Sequence, residues 1–354
     1  MTPPASNSTS PDTICLLTRA DVLACLADVD PVAVVEDALR LHARGQTVLP
    51  AEAYLPWENS RSAYCRSLAM PGALGTGPDG VIGLKVINAA VSNPESGLAR
   101  AGGFTALFDY ETGRPRVLAE GALISALRTA AYTIASLRHL GPAEFTTVAF
   151  IGCGNLGLVH ADLLRRYFPE VRDLRLFDLR PQAARNLEQK WTADGNRKAT
   201  VCTSVPEALA GAEVVITLTT VSEPYIESDW LDERAFIAHV SLDDIRAEVF
   251  AGAAAIYVDD VSLVEDNPRR ILGALLGDRA APSITGTLGE VLCGALEAVR
   301  PTDGRVVSNP FGMSILDLAL LQRVTQVAQA NSAGFLIDLT TDTPAATAWP
   351  AAEH

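Results

Sequence analysis

Val148-Ala-Phe-Ile-Gly152-Cys-Gly154-Asn155-Leu156-Gly157 is the stretch on which the fold turns. An apolar β-type run opens straight into three glycines spaced G-x-G-x-x-G, and an apolar-periodic segment follows. A strand, a tight turn and a helix are the expected result. Gly152 allows the turn, Gly154 lets a pyrophosphate approach the backbone, and Gly157 lets helix and strand pack closely. The pyrophosphate then rests on the helix N-terminus, beside Asn155 and Leu156. Asp178 ends the next β-type run, about 20 residues further on, where an acidic residue holds the adenosine ribose hydroxyls. Its charge would repel a 2′-phosphate, which favours NAD over NADP. Arg180 either offsets that charge in part or is a solvated surface residue.

Working outward, the pattern alternates. Residues 147–151, 174–179, 200–203, 214–218, 235–240 and 255–258 read as strands, and 156–168 and 181–191 read as helices. That order implies an α/β fold with a Rossmann-type doubly wound parallel sheet. Thr217 and Thr219 close one strand at the carboxyl edge, where ligands bind in open sheets; ordinary strand-end threonines are the other reading. Upstream, residues 14–45 read as two helices, and 48–118 as an antiparallel sheet whose Thr112-Gly113 marks a hairpin turn. A long apolar helix over 120–140 ends at Pro142, and another spans 313–331. The expected division is an α+β domain (14–141 and 314–340), a nucleotide domain (142–313) and loose tails (1–13 and 341–354).

The chain has 354 residues, 48 % of them hydrophobic and 20 % charged, which excludes disorder along its whole length. Its net charge of −14 argues against nucleic acid, and Arg269-Arg270 is too short to be a basic patch. No apolar run has the roughly 20 residues that span a bilayer, and the first residues lack the form of a secretory leader. Six scattered cysteines without a C-x-x-C pair, and five histidines without H-E-x-x-H, give no zinc or disulfide pattern. A cytoplasmic protein without metal is the expectation.

A few charged residues stand in apolar surroundings. Lys85, in Ile82-Gly-Leu-Lys-Val-Ile87, faces either solvent or a site. Arg128, on a very apolar helix, needs a carboxylate: a substrate's, or a structural partner's. Arg66 precedes Ser67-Leu-Ala-Met-Pro71 and is a surface strand residue or a substrate cation. Asp243-Asp244 follow a strand at the carboxyl edge and either cap a helix or reach a site.

These segments carry a resemblance. Gly83-Leu-Lys85-Val-Ile-Asn88, Glu120-Gly-Ala-Leu-Ile-Ser-Ala-Leu-Arg128-Thr129-Ala-Ala, the glycine motif and Phe177-Asp178 together resemble the ornithine cyclodeaminase/mu-crystallin family, over about residues 15–335. The resemblance implies a substrate-binding and homodimerisation domain beside the Rossmann domain. Gly97-Leu-Ala-Arg100, His239-Val-Ser241-Leu-Asp-Asp244 and Ser308-Asn-Pro-Phe-Gly312-Met-Ser-Ile-Leu-Asp317 are similar to a branch that makes 2,3-diaminopropionate for siderophores and viomycin/capreomycin-type antibiotics. It implies NAD-dependent oxidation of N-(1-amino-1-carboxy-2-ethyl)-glutamate, made by an upstream synthase, and imine hydrolysis to 2,3-diaminopropionate and 2-oxoglutarate. It assigns Lys85 and Asp244 to catalysis, and Arg66, Arg128, Lys85, Arg100 and Asn88 to the amino-acid substrate. Thr129, Thr217, Thr219, Ser241 and Asp317 join the glycine loop, Asp178 and Arg180 at the cofactor. The branch usually carries arginine where Asp243 stands, so the acting carboxylate is open between Asp243 and Asp244, with Asp244 keeping the register. Ornithine cyclodeamination, imine reduction and a non-enzymatic binding role are the alternatives. Ser241-Leu-Asp-Asp, in place of the cyclodeaminases' GGD-CPGK segment, argues against the first.

Overall fold

Eight strands with parallel neighbours throughout form the sheet that the glycine motif predicts. In the computed structural model, which describes residues 13–277 and 282–338, seven other strands come first in the chain. They are β1 (Thr13–Leu17), β2 (Thr47–Val48), β3 (Ala53–Glu58), β4 (Tyr64–Leu74), β5 (Val81–Ala90), β6 (Ala101–Phe108) and β7 (Pro115–Glu120). The parallel sheet follows with β8 (Thr147–Ile151), β9 (Asp173–Phe177), β10 (Lys198–Val201), β11 (Val214–Thr217) and β12 (Phe236–His239). It is completed by β13 (Ala255–Val258), β14 (Gly286–Thr287) and β15 (Val306–Ser308). The last strand, β16 (Phe335–Asp338), belongs to the first sheet.

The parallel sheet has the order β10-β9-β8-β11-β12-β15-β13-β14. From β8 the chain winds first to one side and then to the other, so the topological switch lies between β8 and β11. Ligands in open α/β sheets bind outside the strand carboxyl ends at such a switch. The strands are buried on both faces, as Val214–Thr217, Phe236–His239 and Ala255–Val258 show, and this is why they read as continuous apolar runs. The helices Asn155–Tyr167 and Pro181–Thr192 lie where the periodicity put them.

The other sheet runs β16-β1-β7-β6-β5-β4-β2, with β3 also on β4. Its pairs β16-β1, β7-β6, β6-β5, β5-β4 and β4-β3 are antiparallel, and β1 lies parallel to β7. Two strands here correct the sequence reading. Thr13–Leu17 was expected within a helical stretch but forms β1, and Phe335–Asp338 pairs with it as β16. Each is a short run of β-formers whose partner is remote in sequence, so no local pattern marks it. β14 and β15, of two and three residues, went unread for the same reason.

Among the described residues two compact units emerge: 13–29, 48–122 and 321–338, and 30–47 with 123–277 and 282–320. The division differs from the expected one at 141/142 and 313/314, because side chains tie the long helix Gly121–Leu140 to the parallel sheet's unit. Thr133 Oγ1 meets His160 Nε2 at 3.0 Å, Ser136 Oγ meets Ser308 Oγ at 3.1 Å, and Arg300 donates to the Gly141 carbonyl at 2.6 Å. The helix Pro31–Ala43 goes the same way through Glu36, which accepts from Arg138 at 3.2 Å and lies 3.1 Å from His139 Nε2. Of the expected tails, Thr13 begins β1, while 1–12 and 341–354 lie outside the described residues. No described helix is long and apolar enough to cross a membrane, and no described group of His, Cys, Asp and Glu is arranged to hold a metal.

Candidate active site

The glycine loop does what its spacing predicts. Gly152 has φ +100°, and a Cβ there would sit 2.7 Å from the Leu218 carbonyl oxygen. Only glycine tolerates both demands. A Cβ on Gly157 would meet the Gly152 carbonyl at 3.1 Å, so this glycine lets helix and strand close on each other. Gly154 is different: its added Cβ would find nothing nearer than an Arg180 nitrogen at 3.9 Å. Space is thus kept open at the one glycine where a diphosphate must approach. Gly154 also caps the helix Asn155–Tyr167 with no side-chain hydrogen bond, leaving the first-turn N–H groups, those of Asn155 and Leu156 among them, for an anion.

Asp178 is already oriented. Its Oδ2 accepts from the Cys153 N–H and its Oδ1 from the Arg180 N–H, both at 2.8 Å. The Arg180 guanidinium, mostly exposed, lies 3.7 Å from Oδ1. The loop and the carboxylate are therefore one hydrogen-bonded unit, with the anion at the mouth of β9. These residues fit an adenine dinucleotide: a diphosphate over Gly154 and the helix start, a ribose at Asp178.

A second cluster lies at the ends of β11 and β12. Asp244 is fully buried. Its Oδ1 accepts from Thr219 Oγ1 at 2.6 Å and from the Tyr225 hydroxyl at 3.0 Å. Its Oδ2 meets Ser241 Oγ, which in turn lies 2.8 Å from Thr217 Oγ1. Burial and the Asp244 charge push the Tyr225 hydroxyl well above the ordinary tyrosine value, so it stays a donor. Behind the carboxylate, His239 Nε2 accepts the Asp244 N–H at 2.9 Å. That fixes the proton on Nδ1, which donates to Asn309 Oδ1 at 2.7 Å. Burial lowers the pKa of His239, so the imidazole is neutral.

Thr217, Thr219 and Ser241, expected at the cofactor, are thus bound into the setting of Asp244. Asp243 points elsewhere: its carboxylate pairs with Arg270 and accepts the Ile271 N–H at 3.3 Å. Tyr225 escaped sequence reading, and Asn309 stood in a quoted motif without a role, because their partners lie far off in the chain. His239 stood in a quoted motif, and a histidine closing an apolar strand was the available signal.

Arg128 has a structural partner. Its Nε is 3.1 Å from Oδ2 of Asp317, which is fully buried. The pair ties Asp317, expected at the cofactor, to the arginine. Nearby, Asp259 accepts the N–H groups of Phe311 at 2.8 Å and Gly312 at 2.6 Å. Gly312 has φ +104°, and a Cβ there would sit 3.0 Å from Arg128 Nη1. The turn that Asp259 holds therefore packs bare backbone against the guanidinium. Thr129 donates back to the Ser125 carbonyl at 2.7 Å, so its hydroxyl proton is spent on its own helix.

In the other unit, Lys85 is 2 % exposed and does not face solvent. It stands opposite Met70 and Thr105 in the ladder. Arg66 opposes Ala89, an even number of residues from Lys85, so the two cations share one sheet face. Asn88 does not join them: an odd spacing puts it on the other face, opposite Ser67 and Gly102, where it is exposed. Arg100 lies just before β6 and accepts the Ala90 N–H on its carbonyl at 3.0 Å, one register row from Arg66.

The family model described as "Ornithine cyclodeaminase/mu-crystallin family" matches residues 14–332. The chain belongs to the ornithine cyclodeaminase/mu-crystallin family. Among relatives of this family member, the N-((2S)-2-amino-2-carboxyethyl)-L-glutamate dehydrogenase of Staphylococcus aureus is 32 % identical over 86 % of this chain and 91 % of its own. The crystal structure of CmnK matches with a TM-score of 0.88 and 53 % identity, covering 93 % of this chain and 99 % of that one. An archaeal alanine dehydrogenase dimer with bound NAD matches with a TM-score of 0.81 and 25 % identity, covering 93 % of this chain and all of the other.

Proposed function

We propose that this family member is an NAD-dependent amino-acid oxidoreductase that oxidises N-(2-amino-2-carboxyethyl)-glutamate to 2,3-diaminopropionate and 2-oxoglutarate. One observation carries the reading: a buried carboxylate set by three hydroxyls at the end of β12, beside a glycine-loop corner built for a dinucleotide. When bound, NAD supplies the acceptor for the hydride that leaves the glutamyl Cα. The protein's residues do the rest. Asp244 takes the amine proton, since loss of hydride requires the nitrogen lone pair. The resulting iminium adds water, whose proton passes to Asp244 once that carboxyl has released the amine proton to solvent, and the C–N bond breaks to give ketone and amine as Asp244 returns its proton to the departing nitrogen. Lys85, Arg66 and Arg128 supply positive charge for the substrate carboxylates. The substrate follows the name of the S. aureus relative, and the hydrolysis follows the branch resemblance.

Several further parts belong to the same proposal. An upstream synthase makes the adduct. A homodimer covers the sheet face on which Leu55, Trp57 and Phe104 are exposed, aligned by the β3-β4-β5-β6 register. Six unpaired cysteines accord with a cytoplasmic setting.

The test is absorbance of NADH with purified protein, NAD⁺ and the synthetic adduct, run beside L-ornithine. Stoichiometric NADH, with diaminopropionate and 2-oxoglutarate as products, is the expected result. Proline and ammonia from ornithine, with no reaction of the adduct, would overturn it.

A further inference from the structure

Thr105 on β6 stands directly opposite Lys85 on β5. Residues paired in this way project to the same sheet face, with Cβ atoms about 5 Å apart. Both side chains are buried, and Thr105 is buried completely. Among the described residues, the Thr105 hydroxyl has no hydrogen-bond partner. Its neighbours on this face offer none. Gly103 and Leu107 flank it along β6, Gly83 and Ile87 flank Lys85 along β5, and Val117 and Ala119 follow on β7. Of the residues that border Thr105 on the sheet face, Lys85 alone carries a polar side chain.

A hydroxyl at this position is an expense for the fold. Valine has the same branching, suits a buried strand equally well and leaves no polar atom unpaired. The hydroxyl is explained by a partner that comes to it. An ammonium has three donors and no acceptor. When a substrate carboxylate takes one of them in a site shielded from water, the others need oxygen atoms at fixed places. Threonine supplies such an atom, because its β-branched side chain has few χ1 rotamers. The backbone keeps the pair close. A Cβ on Gly103 would overlap the Val86 carbonyl oxygen, so β5 and β6 approach each other beside this row at a glycine.

We propose that Thr105 is a positioning residue for Lys85: when the amino acid binds, the Thr105 oxygen accepts a hydrogen bond from the lysine Nζ and aims the remaining N–H groups at a substrate carboxylate. This rests on the reading above, in which Lys85 supplies positive charge to that carboxylate. Thr105 acts through the lysine and does not itself touch the substrate.

A double-mutant cycle tests it, with calorimetry of 2-oxoglutarate binding to the NADH complex as the readout. Thr105→Val should weaken binding about 10- to 30-fold, as expected for one hydrogen bond to a charged group, and Thr105→Ser should stay within about threefold of wild type. In a Lys85→Gln background the same Thr105→Val change should cost less than about twofold, because no ammonium remains to be aimed. Thr105→Ala, taken through the same cycle, should show the same coupling. The ligand-free melting temperature of Thr105→Val should equal or exceed that of wild type, since the unpaired hydroxyl is gone. Equal losses in both backgrounds, or no loss in Thr105→Val, overturn the proposal. An affinity unchanged in Lys85→Gln, or a wild-type protein that does not bind 2-oxoglutarate, overturns it together with the role of Lys85. Oxidation of the adduct keeps the two readings apart. Coupling in the cycle with an inert adduct sinks the reaction and keeps the positioning role. An oxidised adduct without coupling sinks the positioning role and keeps the reaction.

Discussion

Two alanine substitutions in the glycine loop should have opposite consequences. At Gly152 the methyl has nowhere to go. The backbone is at φ +100° and the Cβ would approach the Leu218 carbonyl oxygen to 2.7 Å, against main chain that cannot yield cheaply. Left-handed backbone costs an alanine about 1–2 kcal/mol, and overpacking adds about 1–3. Gly152→Ala should therefore lower the melting temperature by on the order of 10 °C. Gly154 has φ −73° and open space around its added Cβ, so Gly154→Ala should melt within about 2 °C of wild type. Its methyl would stand instead where the diphosphate must approach. Losing one or two charge-assisted bonds from the helix start costs roughly 2–3 kcal/mol, or about 100-fold in affinity. With NAD at 100 times the wild-type Kd, ligand stabilisation should drop from about 2.7 to about 0.4 kcal/mol. Differential scanning fluorimetry with and without NAD reads both effects. A Gly154→Ala protein that NAD stabilises as fully as wild type would refute the placement of the diphosphate.

The two adjacent aspartates should separate in the same way. Asp244→Asn should cut kcat by about 10²–10⁴ while NAD still raises the melting temperature. Asp243→Asn should leave kcat within a few fold and cost about 2 kcal/mol by freeing Arg270, seen in urea unfolding. Gly312→Ala presses a methyl onto the Arg128 guanidinium, 3.0 Å from Nη1, and should raise KM for the adduct by about tenfold or more; an unchanged KM would remove Arg128 from substrate binding. His160, buried with Nδ1 2.8 Å from the Leu156 carbonyl, has its pKa lowered by burial from 6.5 to about 4. Between those values the unfolded chain binds a proton that the folded chain refuses, so stability falls as pH drops from 6.5 toward 4. The fall should reach about 3 kcal/mol, and His160→Gln should flatten it in melts at pH 7 and pH 4.5.

What was legible in the sequence was what depends on neighbours in the chain. The glycine spacing marks the turn after β8 because each glycine answers a local steric demand. The alternating strands and helices follow from strands buried on both faces. Lys85 and Arg128 stood out as charges in apolar runs, and both are held by the interior. The rest depends on pairing across the chain. Thr13–Leu17 becomes a strand only because β7 and Phe335–Asp338 lie beside it. Tyr225 reaches Asp244, and Asn309 reaches His239, only because parallel strands bring their ends to one edge. Asn88, three residues from Lys85 along a strand, lies on the opposite face, a separation that shows only once the strand is known.

Backbone geometry explains why Asp243 and Asp244 do different work. Between β12 and this pair the chain passes through Leu242 at φ +75°, a left-handed conformation that a branched aliphatic residue resists. It costs about 1–3 kcal/mol and persists only where the surroundings enforce it. Here the enforcement is visible. Ser241 N–H is held by the Thr217 carbonyl at 3.2 Å, and the Asp244 carbonyl accepts from Tyr225 and Ile226, both at 2.9 Å. The kink lets consecutive carboxylates diverge, one to Arg270 and the other into the hydroxyl cluster. Aspartate at position 243, where the resembled branch usually carries arginine, thus meets its own counter-ion and leaves the setting of Asp244 intact. The departure is compensated locally by Arg270, so it leaves Asp244 in the hydroxyl cluster where the proposed base must stand.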